Sequence, residues 1–101
     1  MPFPHVERAV ATVRPALVLT RRPVGPSGLL IWAAMITNAE RAPWPGDLLV
    51  GDWERIGLIV PSVVRTSKIV VAETASASLI GRLGEADLAA VRRLVAEYLG
   101  F

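Results

Sequence analysis

Near the C-terminus apolar residues return every three or four positions: Leu88, Val91, Leu94, Val95, Tyr98 and Leu99. That spacing draws one stripe down an α-helix. Glu85 and Asp87 stand in the predicted first turn, where the helix dipole favours anions, Gly84 sits at the N-cap position and Gly100 ends the run. We read this helix as structural, a lid laid on a sheet. Upstream the pattern changes to short apolar, β-branched runs cut by Pro and Gly. Residues 16–20 predict a strand entered through Pro15, and residues 29–37 a second that scarcely alternates and is expected to be buried on both faces. Residues 47–50 predict a third strand. Residues 51–58 read as one helical turn with Asp52 as N-cap and Gly57 after its end. Two more strands, 62–65 and 68–72, are expected around the tight pair Thr66-Ser67, followed by a short apolar piece at 79–83. The stretches 2–13, 21–28 and 38–46 read as loops. Short strands followed by one terminal helix predict a mainly β fold with a C-terminal α-helix: a small, partly open barrel forming one domain over residues 1–101.

Composition narrows the classes. Hydrophobic residues make up 52% of the 101, enough for one packed core and unlike a disordered chain. The longest apolar run, 29–36, is far short of the roughly 20 residues of a membrane span. No signal peptide is read at the N-terminus, and without Cys there is neither a disulfide framework nor a thiolate zinc site. A soluble cytoplasmic protein is expected, with no cofactor, no metal and no membrane partner. The net charge of +2 does not by itself announce a nucleic-acid binder. Ten of the eleven cations are Arg and Lys68 is the single Lys. Arg grips phosphate bidentately and stacks on bases, but a GC-rich genome also writes Arg for Lys, so the count weighs little.

Most catalytic constellations are absent: there is no glycine-rich phosphate loop, no His/Cys metal spacing and no Cys–His pair. His5, the only His, lies in a predicted terminal loop and reads as a surface residue. Two polar positions bracket the most apolar strands: Arg14-Pro15 before the first, and Thr37-Asn38 at the end of the second. If those strands are antiparallel neighbours, Arg14, Thr37 and Asn38 converge at one rim. A cation with hydroxyl and amide donors is the minimum for holding a phosphodiester and stabilising its extra charge in a transition state. The plainer alternative is an ordinary ion pair at Arg14 and a strand end at Thr37.

The ordered set Pro2-Phe3-Pro4, residues 14–20 (Arg-Pro-Ala-Leu-Val-Leu-Thr), Ile36-Thr37-Asn38, Pro45-Gly46-Asp47, Asp52-Trp53, Gly57-Leu58, residues 61–65, Lys68-Ile69 and residues 81–84 resembles the MazF/PemK-like toxins over nearly the whole chain. The resemblance implies an SH3-like barrel of the plasmid-maintenance-toxin type. Only Met1 precedes Pro2-Phe3-Pro4, so the family's first strand is expected to be missing. It also implies a homodimer and the toxin component of a type II toxin–antitoxin system, held in check by an antitoxin peptide or protein. The implied activity is ribosome-independent, metal-free cleavage of single-stranded RNA (an mRNA interferase) by attack of the 2′-hydroxyl on the adjacent phosphate. The family's catalytic Arg and hydroxyl residue map onto Arg14 and Thr37, and Asn38 stands where the family commonly has a second hydroxyl.

Four positions are expected to contact substrate: Asn38, Arg41, Trp44 and Arg65. Trp44, between two prolines, either stacks a base or anchors its loop on the barrel. Arg65 either faces the RNA groove or pairs with Glu54 or Glu73. Trp32 and Trp53 are read as core, and Arg92 and Arg93 as a solvated helix face. The alternative function is an inactive, N-terminally truncated relic that keeps the barrel as a binding module for an antitoxin peptide or RNA.

Overall fold

The computed structural model describes residues 2–4 and 11–100, with side chains from Arg14 onward; the terminal-loop reading of His5 lies outside the described residues. The chain runs β1 (Pro2–Pro4), β2 (Ala11–Val13), β3 (Ala16–Val18), β4 (Leu30–Asn38), β5 (Asp47–Leu49), β6 (Ser62–Glu73) and α1 (Glu85–Leu99). β3, β4, β6 and β5 form an antiparallel sheet in that order, and β1 pairs with β2 in a separate ribbon. The expected mainly β fold with a C-terminal helix is observed, although the four-stranded sheet is open and not closed into a barrel. Among the described residues no helix is long and apolar enough to cross a membrane.

β4 is central, and its composition explains how. Ile31 and the run Ala33, Ala34, Met35 and Ile36 are buried, so both faces of the strand are covered. The two alanines leave no accessible surface at all, which lets neighbouring elements approach the backbone closely. Ala34 and Ile36 join Val50, Ile56, Leu58, Val64 and Val91 in the core, with Leu17, Trp53 and Val95 packed around them. α1 therefore does lie on the sheet, through Val91 and Val95, while Arg92 and Arg93 face solvent.

Four expectations are corrected. The opening stretch read as loop contains the β1–β2 ribbon, Pro2 facing Val13 in register; prolines are tolerated there because each strand has an unpaired edge. Trp32 is 48% exposed, because α1 packs against β5 and β6 and leaves that end of β4, with its partner Val71, uncovered. The predicted turn at Thr66-Ser67 does not reverse the chain. Consecutive β4 residues Ala34 and Met35 pair with Ile69 and Arg65, so Thr66, Ser67 and Lys68 bulge from one continuous strand. Finally, residues 51–57 form turns closed by Ile56 N–H to the Asp52 carbonyl, but the Asp52 carboxylate pairs with Arg55 instead of capping them.

The apolar piece at 79–83 carries no regular structure and leaves Leu79 and Ile80 exposed. It is held by backbone contact: a Cβ on Gly81 would overlap the Ile56 carbonyl. We therefore expect Gly81→Ala to destabilise the fold by about 1–3 kcal/mol, the usual cost of overpacking. Urea unfolding reads this directly, and an unchanged midpoint would show that the two loops separate without penalty.

Candidate nucleic-acid interface

Arg14 immediately precedes β3, and Thr37-Asn38 end β4. Antiparallel pairing of these strands sets the two ends side by side, with Ala16 opposite Met35 and the Ile36 N–H donating to the Pro15 carbonyl at 3.2 Å. Arg14, Thr37, Asn38 and Arg41 consequently line one cleft of about 270 Å³. Leu58 and Ile59 give it an apolar wall. On another side of Arg14 a depression of about 280 Å³ is lined by Met35, Lys68 and Val70. The polar side of the cleft offers a guanidinium, a hydroxyl, an amide and a second guanidinium, and Lys68 adds a cation beyond Arg14. Such a set has the chemistry that a phosphodiester chain requires: cations for phosphates and hydrogen-bond donors for growing negative charge.

Asn38 also has a local task. Its Oδ1 accepts the Glu40 N–H at 2.9 Å and so caps the single 3₁₀ turn Ala39–Arg41. That leaves its NH₂ as the group it can offer to a ligand. The Ala39 N–H donates to the Pro61 carbonyl at 2.8 Å, tying the start of this turn to the approach of β6.

Trp44 and Arg65 do not line the cleft. Arg65 is only 8% exposed. Its Nε and Nη2 donate to the two carboxylate oxygens of Asp47, each at 3.0 Å. The pairing with Glu54 or Glu73 is thus replaced by Asp47, its register partner across β5 and β6. Hydrogen bonding to Asp47 chiefly raises the Arg65 pKa, against the opposing effect of burial, so the guanidinium stays charged. Nη2 also donates to the Arg41 carbonyl at 3.3 Å, and the guanidinium carbon lies 4.3 Å from the centre of the Trp44 ring. The indole itself is 48% exposed. The sequence places Asp47 at the start of a strand and in the family resemblance without giving it a partner; a carboxylate opposite an Arg is visible only once register is known.

The model of one family, described as PemK-like, MazF-like toxin of type II toxin–antitoxin system, matches residues 1–99. The chain belongs to this family. Solved structures agree with the assignment. A Mycobacterium tuberculosis toxin, MazF-mt6, superposes with a TM-score of 0.70 at 25% identity, covering 90% of this chain and 88% of its own. A MazE–MazF structure from Deinococcus radiodurans gives 0.66 at 26% identity, covering 86% and 85%. A further structure described as an Mtb toxin gives 0.66 at 27%, covering 83% and 90%. No curated protein matches the chain at comparable significance.

The cap made by Asn38 in this MazF-like toxin can be tested by substitution. Asn38→Ala, which removes the capping oxygen, should lower stability by about 1 kcal/mol, whereas Asn38→Asp keeps the acceptor and should not. Equal losses for the two variants in urea unfolding would show that the cap contributes nothing.

Proposed function

We propose that this toxin is an endoribonuclease that cleaves single-stranded RNA without a metal ion, using the RNA's own 2′-hydroxyl as nucleophile. The observation that carries the reading is the cleft in which Arg14, Thr37, Asn38 and Arg41 come together. In the reaction the 2′-oxygen forms a bond to the adjacent phosphorus as the bond to the 5′-oxygen breaks. A 2′,3′-cyclic phosphate and a 5′-hydroxyl result. Negative charge builds on the non-bridging oxygens, and the Arg14 guanidinium offsets it and donates a hydrogen bond toward the departing 5′-oxygen, while solvent takes the 2′-hydroxyl proton and returns one to the 5′-oxygen. Thr37 donates its hydroxyl to the scissile phosphate, and the Asn38 amide supports it.

Arg41 binds a neighbouring phosphate, and the exposed face of Trp44 stacks a base, a contact worth about 1–3 kcal/mol. The Deinococcus structures contain MazE with MazF. By likeness we assign this toxin a cognate antitoxin, a homodimeric state and a place in the cytoplasm.

Incubation with long single-stranded RNA in excess chelator tests the chemistry, with the new ends mapped. Discrete cuts bearing 5′-hydroxyl ends are expected. Arg14→Ala and Thr37→Ala should each lower kcat by about 10²-fold or more, the usual loss when a transition-state donor is removed. Full activity in Arg14→Ala, at matched circular dichroism, would overturn the mechanism. No cleavage by the folded wild type would favour the binding-module alternative.

A further inference from the structure

The bulge in β6 grips the segment that carries the two outer substrate contacts. Arg65 bonds the Arg41 carbonyl and Asp47, the Thr66 Oγ1 donates to the Gly46 carbonyl at 2.6 Å, and the Ser67 Oγ donates to the Pro45 carbonyl at 2.7 Å. Three consecutive side chains thus hold the 41–47 segment. The Asp47 carboxylate serves twice, because its Oδ2 also accepts the Trp44 N–H at 3.1 Å. Gly46 is confined here as well: its φ of +85° suits glycine, and a Cβ would come within 2.5 Å of the Thr66 hydroxyl oxygen.

Arg65 is the charged member of this grip, and its Nε and Nη2 are committed to Asp47 and the Arg41 carbonyl. The fork is bidentate on a carboxylate that is itself 5% exposed, one nitrogen is shared with the Arg41 carbonyl, and the guanidinium is stacked on Trp44. An RNA phosphate seeking that edge of the fork would have to displace a bidentate, charge-assisted pair already in place. With Arg65 against one side of the indole, a base can approach only from the other.

We propose that Arg65 is a positioning residue: it never touches RNA, but fixes the Arg41 backbone and the Trp44 ring as a preformed pair of contacts. This rests on reading Arg41 and Trp44 as RNA contacts. Preorganisation of this kind lowers the ordering cost of binding. Loss of Arg65 therefore weakens KM and leaves the chemical step at Arg14 and Thr37 in place. Lys cannot replace it, since an ammonium offers neither the bidentate fork nor the planar stack.

Two measurements test the assignment. In a chain with Trp44 as the sole tryptophan (Trp32→Phe, Trp53→Phe), Arg65→Met should raise acrylamide quenching and shift the emission; unchanged fluorescence overturns the latch. In RNA cleavage, Arg65→Met and Arg65→Lys should each raise KM about tenfold, on the scale of one lost base stack, at near-constant kcat. Removing one buried partner strands the other charge, so Arg65→Met with Asp47→Asn, which keeps an acceptor for the Trp44 N–H, provides a variant without an orphaned charge, and it should show the same KM. Adding Arg65→Met to Arg41→Ala/Trp44→Ala should change nothing further. A multiplied loss there would mean that Arg65 binds RNA itself and would sink the proposal. A wild type that cuts no RNA overturns the enzyme reading instead, and the quenching contrast then decides the latch by itself.

Discussion

The nine residues of β4 lie along the twelve of β6, and the ladder closes only because Thr66, Ser67 and Lys68 stand out of it. Both arms of β6 carry apolar residues, Val63 and Val64 in the first and residues 69–72 in the second, so each is worth pairing, but their registers against β4 differ. A bulge resolves the conflict by leaving residues unpaired at one place and adding twist there. The polar residues fall at that place. Thr66 is buried yet bonded through both its N–H and its hydroxyl to the Gly46 carbonyl. The mismatch in the sheet thereby becomes the anchor of the 41–47 segment.

The same ladder sets the cleft. β4 ends at Thr37-Asn38 where its partner β6 begins at Ser62, and β3 begins beside that end. Catalytic candidates thus come from a strand terminus and the start of its neighbour, and the proposed outer contacts from a segment bonded to Arg65 and the bulge. Positions held by sheet hydrogen bonds suffer little thermal wandering, which is what orientation of a reacting phosphate demands. The loop segment gains comparable rigidity from a buried ion pair and a ring contact, both involving Arg65.

Electrostatics follows from placement more than from composition. A net charge of +2 over 101 residues is modest, yet Arg14 and Arg41 share one cleft and Lys68 lines the depression next to Arg14. The local field depends on the arrangement of cations and on their partners more than on the net charge. Arg65 contributes little to that field, since Asp47 neutralises it below the surface.

Local pattern determined much of this protein. The terminal helix, the apolar strand β4 and the convergence of Arg14, Thr37 and Asn38 are written in periodicity and in the positions of polar residues at strand ends, although the first expected strand shortens to Ala16–Val18 and Tyr98 and Leu99, at the end of the helical stripe, are exposed. Those features depend on neighbours along the chain or on one antiparallel pairing. Tertiary structure alone decided the rest. Whether residues 62–73 reverse or continue depends on which partner their second half meets, and β4 offered a better one than a hairpin would. Trp32 is apolar in an apolar strand, but its burial turns on how far α1 reaches. The partner of Arg65 lies 18 positions away, chosen by the register of β5 on β6 and by nothing local to either residue. A side chain's neighbours across a sheet are set by pairing energy summed over whole strands, which no window of sequence contains.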